Sequence, residues 1–211
     1  LYRVDAFLLI AGLGGGTGSA GVAAIAAQLK SVYDQPVYVV GVLPNSDEGS
    51  LMEENARAAI REVHKMVDGI LIFDNDIWKK QGIPLQECYE FMNYELVRPI
   101  PFLMGAGEVT GNKVGVKVVD ASDIMATWSD LAFIGYSEIK VTTLRDRLLS
   151  FMPRTSIGQL DPVLSCLTVI KSAATMRLSG RCNTKDAKRA LMLLAGPPKG
   201  INMEGFSEAK G

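Results

Sequence analysis

The chain has 211 residues, 48% of them hydrophobic and 21% charged, which suffices for a sizeable core without disulfides or metals and fits one large domain or two small ones. Lys plus Arg (22) nearly balances Asp plus Glu (23), so no basic field draws the chain to nucleic acid or an anionic membrane. The apolar runs at 6–11 and 37–43 are too short for a transmembrane segment and no basic stretch leads into a signal core, so the sequence predicts a cytoplasmic protein.

Residues 6–10 read as a buried parallel strand, followed by a glycine cluster and a small-residue helix over 21–29. Pro36 precedes a second apolar run, 37–43, which suits the next parallel strand because its proline lies at the start. A polar loop covers 44–50. Residues 53–66 carry apolar side chains at Ala56, Ala59, Ile60 and Val63, the spacing of a helix that covers a sheet, and 69–73 forms a third strand. This alternation predicts an α/β fold with a Rossmann-like parallel sheet.

A central helical pattern starts at Leu85, and Pro99 and Pro101 break it. We expect a domain boundary just beyond, dividing the chain into an α/β domain, 1–107, and a smaller α+β domain, 108–211. In the second part 117–119 and 131–136 read as strands around a helix at 122–128, Asp161 and Pro162 open a helix that runs through Ser179 to Gly180, and 190–195 reads as a strand. Cys88, Cys166 and Cys182 show no CxxC pairing and read as buried free thiols, while His64, the only histidine, reads as a surface residue. The chain has no initiator Met and begins close to a strand, so it reads as truncated or stripped of disordered segments.

Between the first strand and helix stands Gly12-Leu13-Gly14-Gly15-Gly16-Thr17-Gly18-Ser19. Most of these positions lack a Cβ, so backbone can approach a ligand, and the following helix offers unpaired N–H groups and the positive end of its dipole to phosphate. Thr17 and Ser19 add hydroxyl donors. No Lys occurs in the loop, which excludes the P-loop pattern GxxxxGK[ST]. A dinucleotide fingerprint GxGxxG can be laid over Gly16, Gly18 and Gly21, but several residues after the strand ends. Asp74-Asn75-Asp76 follows the third strand, a turn or cap by residue type, although an Asn amide also suits a base edge. Tyr89 and Asn93 lie one turn apart and share a helix face. Asp120 and Asp123 flank the start of a helix, where one can cap it and the other favour its first turn.

The string GGGTGS after a buried strand closely resembles the signature loop of the tubulin/FtsZ superfamily, and the rest of the chain follows that family's element order without its first strands. The resemblance implies that Gly14, Gly15, Gly16, Thr17, Gly18 and Ser19 wrap the phosphates of GTP or GDP with Mg²⁺. It implies further that Asn75 hydrogen-bonds guanine, that Tyr89 lies over the purine with Asn93 at its edge, and that Glu48 belongs to a ribose-contacting loop. FtsZ carries an Arg three residues after Gly49, where this chain has Met52. Residues 119–124, Val-Asp-Ala-Ser-Asp-Ile, resemble the FtsZ synergy loop, so Asp120 and Asp123 would be the catalytic acids, entering the pocket of the next subunit in a head-to-tail homopolymer. Ala106-Gly107-Glu108, the 119–124 string and Leu194-Ala195-Gly196-Pro197-Pro198 resemble the archaeal CetZ branch, which implies a GTPase of the cytoskeleton acting in cell shape. Two rival readings remain: a non-catalytic nucleotide-binding filament regulator, and an NAD-binding Rossmann enzyme.

Overall fold

The computed structural model describes residues 4–107, 119–139, 162–196 and 203–208. Two compact units divide the chain, Leu1–Ile134 with Ser179–Leu191, and Gly135–Leu178 with Met192–Gly211.

In the first unit four parallel strands lie side by side in chain order: β1 (Phe7–Gly12), β2 (Val37–Leu43), β3 (Gly69–Asp74) and β4 (Asp130–Ala132). Alternate side chains explain why β2, and β3 up to Phe73, carry almost no polar side chains, as both faces of the sheet are covered. Val39, Ile70 and Ile72 pack with Val22 of α1 (Gly16–Val32) and with Ala56, Ala59 and Val63 of α2 (Ser50–Val63). Tyr38, Val40, Leu71 and Phe73 face the other way, against Cys88, Met92 and Leu96 of α4 (Leu85–Val97) and Trp128, which follows α6 (Ala121–Thr127). The short α3 (Asn75–Trp78) follows β3 directly, and α5 (Ile100–Met104) follows α4 across Pro99.

The sequence reading needs correction at several points. Helix α1 begins at Gly16, five residues earlier than the small-residue pattern indicates. Glycine weakens a helix in isolation, but here the packing requires it: a Cβ on Gly18 would lie 2.0 Å from the carbonyl oxygen of Gly12. The expected strand 131–136 ends at Ala132, and Gly135 makes only an isolated antiparallel bridge with Leu178. Both α6 and β4, which the sequence reading assigns to 108–211, pack in the first unit. The run 190–195 is not a strand, because an apolar run becomes one only beside a ladder partner and none pairs with it among the described residues. Residues 117 and 118 of the expected strand 117–119, Glu108, Asp161, Pro197 and Pro198 lie outside the described residues. Cys88 and Cys166 are buried as expected, but Cys182 is exposed.

In the second unit α7 (Pro162–Lys171) continues through a wider turn, Ser172–Met176, and stops before the expected end at Ser179. Leu178 instead pairs with Gly135, and the Arg177 guanidinium donates to the Tyr136 carbonyl at 2.9 Å. Helix α8 (Met203–Glu208) packs on α7, where a Cβ on Gly205 would meet the Val163 carbonyl oxygen at 2.7 Å. Among the described residues no helix is long and apolar enough to cross a membrane.

Candidate functional site

Open α/β sheets bind ligands at the carboxyl ends of their strands, and in the first unit a cleft of about 200 Å³ opens there. The end of β1 and the glycine turn supply one wall (Gly12, Gly14 and Gly15), the end of β2 and the loop after it a second (Val42, Leu43, Pro44 and Glu48), and Asn75 and Tyr89 complete the lining. The structure therefore brings together five residues singled out from sequence: Gly14, Gly15, Glu48, Asn75 and Tyr89.

The glycine turn is anchored by its one large residue. Leu13 is 1% exposed, its N–H donates to the Val42 carbonyl at 2.9 Å, and its side chain enters the core between sheet and helices. Gly41 makes room for it, since a Cβ there would stand 2.7 Å from Leu13 Cδ1. The real turn is only Leu13 to Gly15. Gly16, Thr17 and Gly18 already belong to α1, so their N–H groups have no intrahelical acceptor and form the positive end of the helix. The Ser19 hydroxyl lies 2.5 Å from the Leu13 carbonyl oxygen and 2.7 Å from that of Gly15, and its proton is donated inside the turn. Gly16, Gly18 and Gly21 all fall within α1, whereas the dinucleotide fingerprint needs its first glycine in the tight turn. The NAD reading fails on that point.

The second wall is the loop between β2 and α2. Asn45, 8% exposed, accepts from the Asp47 N–H at 3.2 Å, and its own N–H donates to Glu48 Oε1 at 2.8 Å. This reciprocal cap holds a single 3₁₀ turn, Ser46–Glu48, and aims Glu48 at the cleft. Gly49 then takes φ +100°, a conformation that favours glycine, and starts α2.

At the end of β3 the three residues Asp74, Asn75 and Asp76 divide the work. Asp74 caps α3, accepting from the Asp76 N–H at 2.9 Å, and burial pushes its carboxyl above the usual range despite that bond. Asp76 Oδ1 accepts from the Ser46 N–H at 2.9 Å and the Ser46 hydroxyl at 3.0 Å, fastening the β2–α2 loop to α3. Lys79 pairs with Asp47 along the same seam. Asn75 is left facing the cleft. The Trp78 ring stacks on Phe73 with 6.0 Å between centroids and fixes α3 on the strand it leaves. Tyr89 is 39% exposed at the rim, and Asn93, one turn along α4, is exposed outside the lining.

Asp120 and Asp123 do not line this cleft. Asp120 Oδ1 accepts from the Asp123 N–H at 2.9 Å and the Ser122 hydroxyl at 2.6 Å, while the Asp120 N–H reaches Asp123 Oδ2 at 3.5 Å. This is the capping box that their spacing allows, with Asp120 exposed and Asp123 half-buried.

Sequence reasoning missed Asn55 and the individual tasks of Asp74 and Asp76. Asn55 Nδ2 donates to the Gly14 carbonyl at 3.1 Å across 41 residues of chain. An Asn on the face of an amphipathic helix carries no local signal that it reaches a loop so far away.

Comparisons with known proteins divide the chain in two. The tubulin/FtsZ family GTPase domain matches residues 2–82, and the tubulin-like CetZ C-terminal domain matches residues 82–211. Over all of its length the chain is 37% identical to tubulin-like protein CetZ1 of Haloferax volcanii, of which it covers 56%. It is 30% identical to CetZ of Pyrococcus furiosus over 98% of the chain and 51% of that protein. Among solved structures, the GTPγS-bound protofilament of CetZ2 from H. volcanii matches with a TM-score of 0.80 at 29% identity, over 99% of this chain and 56% of that one. The GDP-bound CetZ1 monomer matches with 0.77 at 35% identity, over 98% and 55%. The chain thus spans about half the length of the curated relatives it matches.

Proposed function

The chain belongs to the tubulin-like CetZ family, and from that premise we propose that its cleft binds GTP and GDP and that the full-length protein assembles head to tail into filaments that hydrolyse GTP. The observation that carries this reading is the convergence of Gly14, Gly15, Glu48, Asn75 and Tyr89 on one cleft. Each supplies what one part of a guanine nucleotide needs. The glycines and the start of α1 offer main-chain N–H groups to phosphate, Glu48 accepts from ribose hydroxyls, the Asn75 amide pairs with the base edge, and the Tyr89 ring covers the purine. Thr17, at the first turn of α1, adds its N–H and hydroxyl to the phosphate side, and Asn93 extends the base-binding face of α4.

Among the described residues no three His, Cys, Asp or Glu side chains converge to hold a metal. Mg²⁺ would therefore be held chiefly by phosphate oxygens and water, as small hard cations commonly are, and would neutralise phosphate charge.

Asp120 and Asp123 stand away from the cleft of their own chain and reach the surface. We assign them to the cleft of the adjacent subunit, where a carboxylate would hold the attacking water in line. Head-to-tail contacts propagate into open filaments, so turnover and assembly would share one interface, in a cytoplasmic protein acting in archaeal cell shape. The test is GTP turnover per molecule against protein concentration. It should rise steeply as filaments form, Asp120→Ala and Asp123→Ala should each lower it about a hundredfold or more, and GDP affinity should hardly change. A rate that stays flat with concentration contradicts the shared site.

A second reading, nucleotide binding without turnover, is favoured by one observation: each of the two carboxylates already accepts a hydrogen bond in the cap of α6. Binding with no turnover at any concentration would select it.

A further inference from the structure

Building on the proposed nucleotide site, we infer that Asn55 is a positioning residue that fixes the direction of the phosphate-facing amides without touching the nucleotide. The peptide bond is planar and trans, so a carbonyl and the N–H that follows it point in opposite directions. Two neighbouring peptide planes of the glycine turn are held by side chains from outside it. The Leu13 carbonyl oxygen accepts from the Ser19 hydroxyl at 2.5 Å, and the Gly14 carbonyl oxygen accepts from the Asn55 amide at 3.1 Å.

Each bond turns the partner N–H away from the anchoring side chain: that of Gly14 in the first plane, that of Gly15 in the second. Gly14 and Gly15 are the two residues of the turn that line the cleft. Successive main-chain N–H groups turned to one side form an anion-binding concavity. Glycine has little conformational preference of its own, so without these ties either plane could flip and present a carbonyl oxygen to phosphate.

Packing holds the place of Gly14 but not the tilt of its peptide. A Cβ on Gly14 would lie 3.0 Å from Pro44 Cβ and 3.4 Å from Met52 Cβ, whereas Gly15 has nothing within 4 Å. Asn55 and Met52 both come from α2, so this helix sets the position of the turn through one residue and the orientation of its amide through the other.

The experiment compares GDP with guanosine, which lacks phosphate, as ligands of the full-length protein by titration calorimetry, with thermal unfolding measured alongside. Asn55→Ala is expected to lower GDP affinity about tenfold, the effect of one well-placed amide on a charged ligand, and to leave guanosine affinity within about twofold. Equal losses for both ligands, or unchanged GDP affinity in a folded variant, would overturn the inference. If Asn55→Ala does not fold, Asn55→Ser, too short to span to Gly14, gives the same readout with the same two overturning results. Wild-type protein that binds neither ligand would refute the nucleotide reading itself, a result distinct from either of these.

Discussion

The two ends of the parallel sheet handle their polar groups in opposite ways. At the amino ends of the strands, charges close on each other: Lys30 grips both oxygens of Asp68, which also accepts the Val37 N–H at 2.7 Å, and His64 pairs with Asp130. At the carboxyl ends, side chains hold main chain: Ser19 and Asn55 take carbonyls of the glycine turn, Glu48 and Asp76 take N–H groups of the next loop. At the amino ends side chains bond mainly to one another, across the start of neighbouring strands. Tying down one side of a loop's peptide planes leaves the other side's groups for a ligand, and that is how a cleft of fixed shape arises from three connecting loops.

Single substitutions can sharpen this contrast. The largest effect on stability is expected at Gly18, where Ala would drive a methyl into the Gly12 carbonyl, costing about 3 kcal/mol or more in urea unfolding. Gly15, three residues earlier, has open space and an extended backbone at φ −89°, ψ 157°. Gly15→Ala should therefore leave stability within about 0.5 kcal/mol but lower GDP affinity about tenfold, because the methyl stands where phosphate would approach. An equal loss of stability in the two variants would break the distinction between a glycine needed for packing and one needed for the ligand.

A smaller effect belongs to the seam between loops. Asp76→Ala removes both bonds to Ser46 and is expected to cost about 1 kcal/mol of stability, with a weakening of GDP binding as Glu48 loses its fixed relation to Asn75. The least effect is expected at the other end of the sheet. The His64 ring holds the Asp130 carboxyl below its ordinary value. A depressed carboxylate stabilises the fold above its unfolded value near pH 4 and stops doing so as the pH falls through the lower folded value. The pair is largely exposed, so Asp130→Asn should cost under about 1 kcal/mol at pH 5, the difference from wild type shrinking in stronger acid, with GDP affinity unchanged.

Much of the fold was legible because its signals are local. Buried on both faces, β2 and β3 appear as continuous apolar runs, and α2 carries an evident stripe at Ala56, Ala59 and Val63. The start of α1 was not legible, since Gly16 to Ser19 look like a loop until Gly18 is seen against Gly12. The run at 190–195 misleads for the opposite reason: its composition suits a strand, but strand formation depends on a partner that composition cannot supply. In the site, the glycine turn could be read as a phosphate cradle from chemistry alone. Asn75 and Tyr89 needed the family resemblance, because an Asn after a strand and a half-exposed Tyr on a helix have commoner structural explanations. Asn55 needed the coordinates, since its role is a contact between elements far apart in sequence.

All that is proposed for this protein requires the cleft at the carboxyl ends of β1, β2 and β3 to be a guanine-nucleotide site. A crystal structure of the full-length protein with GDP tests this most directly. Phosphates are expected at the Gly14 and Gly15 N–H groups, guanine against Tyr89 and the Asn75 amide on its edge. GDP bound elsewhere with this cleft filled by protein side chains would contradict it.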